Sequence, residues 1–110
     1  MLDLRLYMLQ RLSALVMAPL TLAHIAVMIY AIRGGLSAAE ILGRTQGSLF
    51  WFAFYGTFVA AVSLHAAIGL RVILHETFRL SGLGLRLFTW GSFALLLAMG
   101  ARAVFAVTLP

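Results

Sequence analysis

The sequence predicts an all-α membrane protein: three transmembrane helices joined by short loops. Two observations carry this. Of 110 residues, 64% are hydrophobic and 10% are charged, whereas soluble domains are about half apolar and about a quarter charged. A chain this short buries only a modest core in water, so lipid must solvate much of its apolar surface. The apolar residues also gather into three runs, each close to the ~20 residues that cross a hydrocarbon core as a helix. No other backbone form satisfies its own polar groups in so short a segment.

The first run is Leu12 to Ile32, between Arg11 and Arg33. It is too long for a signal-peptide core, and Arg33 follows it directly, so it reads as a retained helix over 12–32. Gly34-Gly35 ends that helix, and Ser37 is placed to cap a short helical piece through Leu42. The second run, Leu49 to Leu70, follows Arg44 and Gln46 and precedes Arg71; its helix is expected over 49–74. Ser81-Gly82-Leu83-Gly84 is turn chemistry. The third run follows Arg86, with a helix expected over 87–107. Residues 33–48 and 71–86 are the expected loops. With no repeat, low-complexity tract or linker, the chain reads as a single small bundle.

All eight basic residues are arginine, and the net charge is +5. They stand singly at the ends of apolar runs, which fits headgroup anchoring rather than nucleic-acid binding. Arg5, Arg11, Arg71, Arg79 and Arg86 fall on one side of the membrane, and Arg33, Arg44 and Arg102 on the other. The positive-inside rule then places the N-terminus in the cytoplasm. Arg102 lies close enough to the end of its run to snorkel outward. The absence of cysteine excludes thiolate iron–sulfur ligation within this chain.

Polar residues inside a bilayer are expensive and mark function or helix contacts. His24 lies thirteen residues after Arg11, ~20 Å into the membrane, and His65 six residues before Arg71, ~9 Å from the cytoplasmic edge. A low-dielectric setting favours neutral imidazole, the form that binds a metal or haem iron. Ala61 and Gly69 flank His65 on its own helix face. Such small neighbours make room either for a flat macrocycle or for a second helix. Pro19 lies five residues before His24 and frees a backbone carbonyl, so His24 serves either as a ligand or as a partner for a kinked backbone. His75 is expected at the membrane surface, solvated or facing headgroups.

The two deep histidines differ in depth by ~10 Å on this count. Ligands of one iron must meet at one depth, so each would need a partner from another chain. Arg11 and Arg71 at the cytoplasmic boundary suit haem propionates or a quinone oxygen, and equally suit plain anchoring. The aromatics from Phe50 to Phe58 read chiefly as an interfacial belt. No phosphate loop, zinc spacing or nucleophile triad is present.

His65-Ala66-Ala67-Ile68-Gly69-Leu70-Arg71 resembles the His-x-x-x-Gly-x-Arg signature of the cytochrome b membrane anchor subunit of succinate dehydrogenase and fumarate reductase (complex II). Gln10-Arg11-Leu12-Ser13-Ala14 resembles that family's His-Arg-x-Ser-Gly segment at the start of the first helix. The resemblance covers most of residues 7–76. Gln10, Ala14 and Val72 depart from it, standing where the family commonly has histidine, glycine and a second histidine.

The resemblance implies a subunit of a multi-subunit helical bundle that holds an iron–sulfur subunit and a flavoprotein subunit to the membrane. It implies haem b and quinone as cofactors, with His65 as haem ligand and Arg71, with Arg11, facing propionates. It places Arg11, Ser13, Gln10 and Tyr7 near the quinone, and Glu76 where the family often has an aspartate at the quinone end. His24 resembles the first-helix histidine of two-haem members. The expected assembly then includes a second membrane anchor subunit or another copy of this chain, in a bacterial inner membrane. Two other readings stay open: a b-type cytochrome subunit docking a different dehydrogenase, and a haem-free anchor or scaffold.

Overall fold

A computed structural model describes residues 3–110. They form four helices: α1 (Leu4–Gly34), α2 (Ala38–Thr45), α3 (Leu49–Phe78) and α4 (Gly82–Thr108). Three of these, α1, α3 and α4, are long and apolar enough to cross a membrane. The expected spans are therefore present, but their helices run past the apolar residues at most ends.

α1 starts eight residues before its apolar run because Asp3 caps it, its carboxylate accepting from the Leu6 amide at 2.9 Å. The helix continues through Pro19. It stops at Gly35, whose φ of 112° is open to glycine but rarely to other residues. A side chain there would also run into the Glu40 carboxylate.

Ser37 caps α2 as expected, accepting from the Glu40 amide at 3.2 Å and donating to its carboxylate at 2.7 Å. The helix extends to Thr45, three residues beyond Leu42. Its end holds the end of α4. Thr45 Oγ1 donates to the Val107 carbonyl at 2.6 Å, the Gly47 amide to Thr108 at 2.7 Å, and the Gln46 side chain to Leu109 at 3.2 Å. Carbonyls that a helix C-terminus leaves open are thus satisfied from another element.

The largest departure from expectation is at residues 71–86, which are not a loop. α3 continues to Phe78 and ends on Arg79, which adopts the left-handed conformation at φ 57°. α4 begins at Gly82. Charged residues ended the apolar run without ending the helix, since arginine and glutamate are good helix formers once past the lipid.

α3 lies in the middle, packed by α1 and α4, with α2 against α4. The buried apolar residues are Leu6, Ala67, Ile68, Leu85 and Val104. The α3–α4 seam is tight at Gly100, where an added Cβ would overlap Val59 Cγ1. The bundle is 47 Å long, longer than the ~30 Å hydrocarbon core, so its ends stand in the headgroup regions.

Candidate functional site

The antiparallel α1–α3 seam sets the site. Ser13 on α1 faces His65 on α3, with Oγ 3.2 Å from Nδ1. One turn nearer the N-terminus, the Gln10 side chain lies against Gly69, 3.8 Å from where a Cβ would sit. A Cβ at Gly69 would thus make only an ordinary contact with the Gln10 side chain, so α1 packs here without requiring glycine. Ser13 is 5% exposed. Its hydroxyl donates to the Gln10 carbonyl at 2.9 Å. His65 is half-buried.

Two buried polar atoms close to this seam have no partner among the described residues: Gln10 Oε1 and Arg71 Nε. Such atoms are costly and call for a ligand or water. Arg71 turns toward α4, where its Nη1 reaches Thr89 Oγ1 at 3.4 Å. Thr89 is 1% exposed and donates its own hydroxyl to the Leu85 carbonyl at 2.7 Å, which leaves its lone pairs for the guanidinium.

The α1 residues divide between two faces. Gln10 and Ser13 point into the seam, while Arg11 is exposed and Tyr7 is 47% exposed. The Arg11 guanidinium lies over the Tyr7 ring at 5.9 Å. Arg11 and Arg71 are therefore not a facing pair. One stands on the outer surface of α1, the other between α3 and α4.

His24 lies at a different level. Its ring packs on Phe58 at 5.3 Å and edge-on to Tyr55 at 6.2 Å. These are ring contacts, not the carbonyl contact that a kink at Pro19 offered. His24 lines a cavity of about 310 Å³ together with Thr45, Tyr55, Phe58 and Val104. A neighbouring space of about 190 Å³ shares His24 and Tyr55 and adds Trp51, Tyr30 and Arg44. Arg44 donates to the Gly35 carbonyl at 2.9 Å and lies over the Tyr30 ring at 5.7 Å. The aromatic group at the start of α3 thus splits. Phe50 faces outward as a belt does and Phe52 stacks on Phe105 of α4 at 6.0 Å, whereas Trp51 and Tyr55 stack at 5.6 Å and line the space beside His24.

Tyr55, level with His24, is ten residues from His65 on α3, so the histidines are separated by ~15 Å along the bundle. This exceeds the ~10 Å counted from the sequence, because the register of α1 against α3 sets Ser13, not a deeper residue, opposite His65. The two histidines do not converge. Among the described residues, no three His, Cys, Asp or Glu side chains cluster as a metal-binding group.

His75 is not simply solvated. It is half-buried, and its Nδ1 donates to the Leu80 carbonyl at 3.0 Å, closing the turn between α3 and α4. Glu76 beside it is exposed, as is Arg102 near the end of α4. Sequence reasoning missed Thr89 as the partner of Arg71. A threonine in the first apolar turns of the third run was the available signal, but the rotation of α4 was needed to use it.

No curated protein and no solved structure matches this chain. The family model for the succinate dehydrogenase/fumarate reductase transmembrane subunit matches residues 2–107, and with nearly the whole sequence so matched, the chain belongs to that family of complex II membrane subunits.

Proposed function

We propose that this chain is a haem b-binding membrane anchor of a succinate:quinone oxidoreductase or quinol:fumarate reductase, passing electrons between an iron–sulfur subunit and membrane quinone. The observation that carries this reading is the setting of His65. It is a half-buried imidazole in the α1–α3 seam whose Nδ1 is engaged by Ser13. Arg71, six residues nearer the N-terminal face, keeps a buried nitrogen without a partner.

These residues fit a b-type haem. His65 offers an imidazole to iron, and Arg71 offers an unspent donor and a positive charge to a propionate. When bound, haem supplies one-electron transfer between the iron–sulfur carrier and quinone. His24, ~15 Å deeper, is the candidate ligand of a second haem. Each histidine would then need a partner ligand from a second membrane anchor subunit or another copy of this chain. Tyr7 and Arg11 present an aromatic face and a cation on the outer surface of α1, where a quinone head group is held by a ring contact and a charge-assisted hydrogen bond. Gln10, whose buried Oε1 has no partner among the described residues, faces the seam and does not share that surface with Tyr7 and Arg11. Succinate or fumarate chemistry belongs to the flavoprotein partner, and the membrane is a bacterial inner membrane with the N-terminus on its cytoplasmic side.

The test is a reduced-minus-oxidised spectrum of the purified complex, with haem counted per chain. His65→Ala removes one b-type signal, and His24→Ala removes a second, separate one. If only His65→Ala has an effect, the complex carries a single haem and His24 is structural. A second reading has its own observation: the Ser13–His65 hydrogen bond also suits a histidine that only joins two helices. A wild-type complex without a b-type signal would decide for that haem-free anchor.

A further inference from the structure

We infer that Ser13 is a positioning residue that fixes the tautomer of His65. A serine hydroxyl has one proton and two lone pairs. The Ser13 proton is directed to the Gln10 carbonyl at 2.9 Å, so only a lone pair is left to face His65 Nδ1 at 3.2 Å. His65 must then carry its proton on Nδ1 and donate it to Ser13. Nε2 is left unprotonated, with its lone pair free.

The surroundings hold this arrangement in place. Ser13 is 5% exposed, so bulk water does not compete for its hydroxyl. The accepting carbonyl lies on the same helix one turn earlier, a local bond that serine makes readily within helices. Rotating the hydroxyl toward Nδ1 would give up that bond and put the imidazole proton on Nε2, where no partner is present among the described residues. Fixing the proton on one ring nitrogen decides which nitrogen can ligate, and the hydrogen bond makes the free one a stronger electron donor to a metal. Ser13 would thus present Nε2 as the donor before any ligand arrives.

The tautomer follows from the helix seam alone, whereas its use in haem ligation rests on the function proposed above. The haem-free full-length chain, labelled with ¹⁵N-histidine in lipid nanodiscs, reports the tautomer directly, with His65→Ala assigning the resonances. Wild type should show His65 protonated at Nδ1. Ser13→Ala should lose that preference, and Ser13→Thr, which keeps the hydroxyl, should retain it. A wild-type His65 protonated at Nε2, or a tautomer unchanged in Ser13→Ala, would overturn the inference. In the assembled complex, Ser13→Ala should also shift the haem midpoint potential upward, because an imidazole that donates less electron density stabilises ferric iron less. A complex that holds no haem, while His65 stays protonated at Nδ1 under the control of Ser13, would sink the haem reading and leave the tautomer inference standing.

Discussion

Tyr7 and Arg11 turn away from the α1–α3 seam, while Gln10 and Ser13 turn into it. Under the proposed function this division gives the arginines separate tasks. Arg11, exposed and stacked over Tyr7, meets quinone on a surface that a partner chain would complete. Losing a charge-assisted hydrogen bond costs about 1.5–3 kcal/mol, which is roughly 10–100-fold in rate. Arg11→Gln should therefore slow quinone reduction by that factor while leaving haem content and succinate-to-dye electron transfer intact. Arg71 is half-buried against Thr89. Arg71→Gln removes a cation from the low-dielectric side of the seam, which favours the oxidised, more positive iron, so the haem midpoint potential should fall in redox titration. If Arg11→Gln moved the potential and Arg71→Gln moved only quinone turnover, the assignment of the two arginines would be reversed.

At the scale of the helices, Gly100 is where α4 comes closest to α3. Glycine inside a helix ordinarily costs about 1 kcal/mol relative to alanine. Gly91, where a Cβ would meet nothing, should show that gain on substitution by alanine, whereas at Gly100 a Cβ overlaps Val59. Valine is stiff about χ1 and cannot swing aside, and overpacking of this kind costs about 1–3 kcal/mol. Gly91→Ala should raise the thermal midpoint in detergent, Gly100→Ala should lower it, and Val59→Ala with Gly100→Ala should recover the loss. The same seams show what the sequence made legible. The three spans could be read because arginines bracket apolar runs of membrane length, and the caps at Gly35 and Ser37 because their chemistry is local. The end of α3 could not, because Arg71, His75 and Glu76 leave lipid without breaking the helix. Nor could the facing of the side chains. These helices are apolar nearly all round, so no polar stripe reports their rotation, and only packing against α3 sets Ser13 on His65 and Arg71 on Thr89.

For the whole molecule, the short list of buried apolar residues, set against the many exposed leucines, phenylalanines and isoleucines, leaves lipid and partner subunits to cover the bundle. A sheath of this kind says nothing about which end faces the cytoplasm, so orientation rests on the arginines. The bundle keeps Arg5, Arg11, Arg71, Arg79 and Arg86 at one end and Arg33, Arg44 and Arg102 toward the other, since α1 and α4 run antiparallel to α3. Only charges near the ends of the spans count toward orientation, and under the proposed function the difference between the ends is read as a cytoplasmic N-terminus. The absence of native cysteine makes the test clean. Gly43 on α2 is exposed with open space around it, and Ser81, in the turn before α4, is exposed and makes no capping bond. A membrane-impermeant maleimide should label Gly43→Cys in intact spheroplasts and Ser81→Cys only in inverted vesicles. The opposite pattern would put the iron–sulfur partner on the α2 side of the membrane, closer to His24 than to His65, and would reverse the order in which the two histidine levels are met along the electron path.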